Sequence, residues 1–320
     1  MMFCSNEDQM FGCHQSNISL VIFFICSIFL SLSVSADSSY QFSLSAYGAD
    51  VEYDWSGEGE AYGLSAAAYI EPIKLDGFVP YTLAPYYSRT SGLFLGTSKS
   101  RVTDLNVIAG GRILKKFDGH TSNIGLRLAK EDLPLWLEFG YTRVGTSTVE
   151  FTSGKGGADR RYIKNMAVGW FINKNLSLYG FKEDDLVDSS GLGLLYLYNT
   201  KHFGFVEVGF QYTEIDSEHV DLEVVNGTIR NANVISEKEE IKAFSLTYYP
   251  TVKAEIGVRY ELLDYNYDAH GNYLTINAGY FISSKLRLGI SYFDVSQDKR
   301  AIRVGRNEYS NLSGSVSYKF

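Results

Sequence analysis

The chain has 320 residues, of which 21% are charged and 15% aromatic, with 24 Tyr, 20 Phe, 30 Gly, only 5 Pro and a formal net charge of −8. That length holds one large all-β domain or two ordinary domains, and the acidic balance argues against nucleic acid as a partner. Scarce Pro suits long uninterrupted strands, because Pro cannot donate to a ladder.

The N-terminal residues stand apart. Residues 18–34 read ISLVIFFICSIFLSLSV and are followed by Val34-Ser35-Ala36 before Asp37. An apolar run ending in a small-x-small site is the form of a secretory signal peptide, so residues 1–36 are expected to be removed after Ala36, leaving 37–320 as the mature domain. The run lacks the usual basic flank, since Glu7 and Asp8 precede it. Met10 is an alternative start, and an uncleaved N-terminal anchor is the competing reading. Cys4, Cys13 and Cys26 all precede the cut, so the mature chain carries no thiol into an oxidising compartment. Cys26 lies inside the apolar run rather than at its end, which argues against a lipoprotein cysteine. Cleavage removes Glu7 and Asp8 and no Lys or Arg, moving the net charge from −8 to −6. No second apolar stretch reaches the ~20 residues a spanning helix needs.

From Ser39 onward the pattern has period two, the signature of strands. Tyr62, Leu64, Ala66, Ala68 and Ile70 form the first apolar row. Ile124, Leu126 and Leu128 follow, then Leu135, Leu137, Phe139 and Tyr141, then Val206, Val208, Phe210 and Tyr212. The sharpest case is Val252, Ala254, Ile256, Val258, Tyr260 and Leu262, alternating with Lys253, Glu255, Gly257, Arg259 and Glu261. Leu274 to Ile282 and Leu286 to Tyr292 repeat it. Strands are expected near 40–54, 59–72, 79–90, 121–131, 133–144, 160–172, 175–183, 190–199, 203–213, 240–250, 252–263, 272–282, 284–295 and 308–320. This makes about 14, within a range of 12–16, with Val102 to Leu114 read as an extended arm in a long loop. Short turns fall at Asn173-Lys174-Asn175, near Thr200-Lys201-His202, at Pro250-Thr251 and at Ser283-Ser284. Long polar loops fall near 145–159, 183–190, 214–239, 264–272 and 295–307.

A soluble sandwich also alternates, but here the polar rows carry both signs of charge in mid-strand, as a wet lumen would, and Tyr residues sit at the ends of apolar rows. The chain ends Leu312-Ser313-Gly314-Ser315-Val316-Ser317-Tyr318-Lys319-Phe320. Val316, Tyr318 and the terminal Phe320 share one face and resemble the signal read by the barrel-assembly machinery. Over its mature length the chain resembles bacterial outer-membrane β-barrel proteins, and within them the porin-like proteins of proteobacteria. The resemblance implies an all-β fold, a closed antiparallel transmembrane barrel in the outer membrane with short periplasmic turns and long extracellular loops. Closure follows physically, because hydrocarbon offers no water to an open edge. The strand at Tyr40 to Tyr53 is therefore expected to pair with the strand ending at Phe320.

About eight strands close on their own side chains and 16–18 leave an aqueous channel, so a narrow or loop-constricted pore is expected. The candidates for its lining are Arg127, Glu138, Glu207, Gln211, Lys253, Glu255, Arg259, Glu261, Lys285 and Arg287, each equally readable as part of a wall-propping salt bridge. The expected function is passive diffusion of small hydrophilic solutes, without cofactor, metal or catalytic group. The expected partners are outer-membrane lipid and lipopolysaccharide, the assembly machinery and those solutes, and the expected state is monomer or homotrimer. An adhesive or structural barrel acting through its loops is the alternative, with the charged stretch Asp216 to Glu240 as its instrument. An outer-membrane hydrolase is a further one. Its candidate residues are His120, Ser122 and Asn123, in a turn or arm, and Asp268 and His270, in a loop. Lys155-Gly156-Gly157 reads as a flexible loop. Arg160-Arg161 reads as a strand end at the outer rim, solvated or facing lipopolysaccharide phosphates.

Overall fold

The computed structural model describes residues 39–320 except 54–56, 76–78, 110–111, 152–153, 157–159, 185–186, 201–202, 226–227, 266–268 and 298–308. The signal-peptide segment 1–36 with its cut after Ala36, and Asp268, lie outside the described residues.

Alternation of the kind seen in the sequence sorts side chains onto two faces of a strand, and the strands follow it. They are β1 (Ser39–Tyr53), β2 (Gly57–Lys74), β3 (Gly92–Ala109), β4 (Arg112–Ala129) and β5 (Leu135–Phe151). A three-residue β6 (Gly154–Gly156) folds back on the end of β5. Then come β7 (Arg160–Phe171), β8 (Leu176–Asp184), β9 (Val187–Asn199), β10 (Phe205–Val225) and β11 (Thr228–Thr251). The last four are β12 (Ala254–Tyr265), β13 (Ala269–Phe281), β14 (Leu286–Gln297) and β15 (Tyr309–Lys319). Each long strand pairs antiparallel with its sequence neighbour, β1 pairs with β15, and the β4–β5 pairing completes the ring. With β6 set aside as an appendage, this is a closed antiparallel barrel of 14 strands.

The closure expected between first and last strands is present: Ser43 lies opposite Lys319 and Tyr53 opposite Tyr309. The terminal residue completes it, Phe320 N–H donating to the Phe42 carbonyl at 2.7 Å and its own carbonyl accepting from Gln41 N at 2.9 Å. Val316, Tyr318 and Phe320 lie along this seam, the last two with their rings 4.8 Å apart.

The outer face is the apolar one. On β12, Ile256, Val258, Tyr260 and Leu262 are all exposed, as are Val208 and Phe210 on β10 and Leu288, Ile290 and Tyr292 on β14. So much contiguous exposed apolar surface is sustained in lipid and not in water. From Ala254 to Leu262 the β12 row is nine residues long, roughly 20 Å of height at ~3.4 Å per residue and a ~40° tilt.

Three expectations are corrected. Residues 79–90 form no strand. They belong to the connection Leu75–Ser91 between β2 and β3, which contains one short helix, α1 (Ala84–Tyr87), with a proline in its first turn. Pro80 and Pro85 explain the failure: two of the chain's 5 prolines fall here, and neither can donate to a ladder. The strand needed to make 14 is instead β3, and the segment Val102 to Leu114 read as an arm covers its outer half and the first residues of β4. The long polar loops are also largely strand: β10 and β11 stay paired out to Val225 opposite Thr228, beyond the 214–239 loop boundary. Asn226-Gly227 lies between them, the dipeptide that favours a two-residue hairpin turn. Likewise β5 continues to Phe151, β8 to Asp184 and β13 begins at Ala269.

Candidate functional site

The candidate site is the lumen. Its inward rows are dominated by small polar residues and glycine, as in Ser245 and Thr247 on β11, Asn277 on β13, Ser291 on β14 and Ser313 and Ser315 on β15. Fourteen strands ~4.8 Å apart and tilted ~40° enclose a backbone circumference of roughly 90 Å, so small inward side chains leave a wide interior. Inward glycines let the few large rings lie flat. A Cβ on Gly169 would stand 2.2 Å from the Trp136 indole, and one on Gly193 would stand 2.1 Å from the Tyr179 ring. Each ring therefore rests on a neighbouring strand's backbone instead of reaching for the axis. At the end away from the chain termini the lumen carries a run of mutually tilted rings, Tyr273, Phe293 and Tyr309, adjacent centroids 5.6 Å apart.

At the other end, beside the termini, residues 79–90 of the connection between β2 and β3 are folded into the barrel. Their contacts run round the wall. Tyr81 N donates to Val252 O at 2.9 Å, and Tyr81 packs edge-on against Phe281 of β13 at 5.5 Å. Lys319 of β15 donates to Tyr81 O at 2.9 Å. Thr82 donates to the Glu255 carboxylate of β12. Tyr86 shares a 2.7 Å hydrogen bond with Ser177 of β8, and its ring meets Trp136 of β5 at 6.1 Å and Phe171 of β7 at 5.1 Å. Val79, Leu83 and Tyr87 pack on Leu197, Phe205 and Tyr249 of β9, β10 and β11. Ala84 is buried with Tyr40 of β1 and Tyr69 and Ile73 of β2. Only a segment inside the ring can touch strands on every side of it. Burial pushes the hydroxyls of both Tyr86 and Tyr87 above the usual tyrosine range, opposed at Tyr86 chiefly by the Ser177 bond and reinforced at Tyr87 by the Glu207 charge. A cavity of about 630 Å³ remains between this segment and the wall, lined by Val79, Tyr87, Arg89, Lys174, Leu197 and Phe205 among others.

The sequence-derived lining residues fall into separate groups. Arg127 and Glu138 lie opposite each other on β4 and β5 and pair at 2.8 Å, with the guanidinium within 5.8 Å of the Tyr86, Phe94 and Trp136 rings. Glu255 is almost fully buried and joins Arg287 of β14 to Thr82 of the inward segment. Arg259 pairs with Glu261 on its own strand and donates to Gln211 Oε1 at 3.3 Å, which also accepts from Tyr179 at 3.3 Å. Glu207 shares the inward face of β10 with Phe205 and Gln211. Lys253 is not on a strand. It occupies the β11–β12 turn, where its carbonyl accepts from Phe281 N at 2.8 Å. Lys285 lies in the β13–β14 turn, buried, its carbonyl accepting from Lys319 N at 2.9 Å. Lys319, Thr82, Tyr86 and Trp136 were not singled out by sequence. Lys319 sits within 4.6 Å of the Tyr40 and Phe281 ring centres, and only the polar parity of the last strand hinted at its direction.

Among the described residues, the hydrolase candidates His120, Ser122 and Asn123 do not share one face. His120 and Ser122 lie on the outer face of β4, within a strand and not a turn, while Asn123 turns inward against Gly96. His270 is on β13, 3.1 Å from Asp264. Arg160 and Arg161 take opposite faces of β7, Arg160 outward.

No protein-family model and no curated protein matches the sequence. Solved structures do match the fold. A CymD monoaromatic hydrocarbon channel aligns with a TM-score of 0.56 at 10% identity over 88% of this chain and 89% of that one. A TodX monoaromatic hydrocarbon channel carrying a deltaS2 mutation gives 0.54 at 10% identity over 91% and 92%. A Pseudomonas aeruginosa FadL homologue gives 0.52 at 10% identity over 88% and 90%. The fold is that of bacterial outer-membrane β-barrels.

Proposed function

We propose that the chain is an outer-membrane transport channel whose periplasmic end, the end that holds the termini, is closed at rest by the inward segment at residues 79–90. The observation that carries this is the ring of contacts from one connection to strands on all sides of the lumen. A pore of permanently free diffusion needs that end open, so the expectation of a simple porin gives way to a gated channel. The lumen offers a wet lining of Ser, Thr and Asn, and at the level of the gate the flat rings of Trp136 and Tyr179 and the Arg127–Glu138 pair. Small solutes bearing both a ring and a polar group match that lining, and the similarly folded channels named for monoaromatic hydrocarbons support a ring-bearing solute over a sugar or salt. The outward apolar band supports residence in the membrane, with export through residues 1–36.

A disulfide lock tests the gate. Residues 37–320 contain no Cys, and the backbone hydrogen bond from Tyr81 to Val252 at 2.9 Å makes this neighbouring pair the anchor for an introduced cross-link. In planar bilayers the Tyr81→Cys/Val252→Cys protein should be silent when oxidised and regain wild-type openings on reduction. Replacing residues 76–90 by a short turn should give a permanently open pore. A silent deletion variant would refute a channel, and a conducting oxidised lock would refute the gate.

A further inference from the structure

The inner wall carries a run of three rings, and the gate sits on its lower end. Trp136 of β5 and Tyr179 and Phe181 of β8 follow one another at centroid separations of 6.4 Å, tilted by 37° and 32°. Each lies against a glycine of the neighbouring strand: Trp136 on Gly169, Tyr179 on Gly193 and Phe181 on Gly191. The upper two rings are half-buried, while Trp136 is buried beneath Tyr86 of the inward segment. Tyr86 meets a complete receptor for its side chain there. Its ring lies 5.1 Å from Phe171 and 6.1 Å from Trp136, and its hydroxyl shares a 2.7 Å hydrogen bond with Ser177. The Arg127 guanidinium, held by Glu138, stands 5.8 Å from the ring centre. Ser177 is only 1% exposed, and Tyr86 is the hydrogen-bond partner of its side chain among the described residues. A segment that had only to fill the passage would be held as well by Phe or Leu, because a buried polar pair gains little over an apolar contact of the same shape. A buried serine aimed at a ring hydroxyl is a recognition contact. It belongs to the wall, and it stays there when the segment leaves.

We propose that the pocket filled by Tyr86 is a binding site for the transported solute, that this solute is a para-substituted phenol, and that it opens the gate by taking the place of Tyr86 on the wall. The tyrosine side chain is p-cresol joined to the backbone. The wall groups that hold it therefore hold the free phenol by the same contacts: Trp136 and Phe171 against its ring, Arg127 near its face and Ser177 at its hydroxyl. A phenol moving down over Phe181 and Tyr179 arrives at Trp136 and competes with Tyr86 for one place. The inference rests on the gated channel proposed above and names its solute.

The full chain, folded in detergent, is titrated calorimetrically with p-cresol and with toluene, which has the same ring and methyl group without the hydroxyl. For a gate open about 1% of the time, p-cresol meets an uncovered site in that fraction of molecules and binds about a hundredfold more weakly than to a bare wall. Tyr86→Ala, open about 60% of the time, should therefore bind p-cresol about 60-fold tighter than wild type. Adding Ser177→Ala should weaken p-cresol about three- to tenfold and leave toluene unchanged. In planar bilayers, saturating p-cresol should raise the wild-type open fraction at least tenfold. Heat-modifiable gel mobility verifies folding. If the double variant fails that check, Tyr86→Phe decides, since removing the competing hydroxyl should let p-cresol bind severalfold tighter than to wild type. Equal p-cresol affinity of wild type and Tyr86→Ala, a Ser177→Ala effect shared equally by toluene, or a wild-type open fraction unmoved by p-cresol would each overturn the proposal. Such a failure would leave the disulfide lock and the deletion variant, and so the gating argument, untouched.

Discussion

Tyr86→Ala is the sharpest perturbation of the proposed gate. The side chain is half-buried, its ring meets Trp136 and Phe171 on two wall strands, and its hydroxyl bonds Ser177 on a third. Partial burial of an aromatic ring, two ring pairs and one hydrogen bond together amount to about 3 kcal/mol once overlap between them is allowed for. If the segment leaves the wall when the channel opens, all of these are lost in the open state, and the closed state alone is weakened. A change of ~3 kcal/mol is roughly 150-fold in the equilibrium, enough to carry a channel open about 1% of the time to about 60%. Single-channel recording of the refolded protein reads the open fraction directly. The unitary conductance should stay the same, because Tyr86 belongs to the gate and not to the open lumen. An unchanged open fraction in a correctly folded Tyr86→Ala barrel would refute the idea that these contacts hold the gate shut.

Other substitutions test the same architecture from the wall. Glu255→Ala removes the acceptor shared by Thr82 and Arg287. A hydrogen bond to a charged group contributes about 1.5–3 kcal/mol, so the open fraction should rise at least tenfold, with Glu255→Gln giving a smaller rise; equal behaviour of the two would show that the charge is irrelevant. Gly169→Val places carbon where the Trp136 indole lies, 2.2 Å from the glycine's Cβ position. Overpacking of this kind costs about 1–3 kcal/mol. It should swing Trp136 into the wet lumen, red-shifting fluorescence from a chain with only 3 Trp. An unshifted spectrum would mean that the ring does not depend on the glycine.

The barrel itself was legible in the chain because period-two alternation is local. Ile256, Val258, Tyr260 and Leu262 declare one face of a strand without reference to any partner, and Val316, Tyr318 and Phe320 do the same for the last one. Closure followed, since lipid permits no open edge, while the count of 14 came out because a strand wrongly read at 79–90 offset the β3 that was read as an arm. Inward parity was equally local, so Arg127, Glu255, Arg259 and Arg287 could be named in advance. Parity does not say how far a strand continues past the membrane. Beyond Glu214 the paired backbone of β10 and β11 read as a loop. Nor does parity show what fills a lumen. Pro80 and Pro85 argued against a strand at 79–90 but could not say that the connection turns inward instead of out. That depends on surfaces far apart in sequence, such as Ser177 for Tyr86 and Glu255 for Thr82, which meet only once the ring has closed. Local chemistry decided the wall, and tertiary closure decided that the wall encloses a gate.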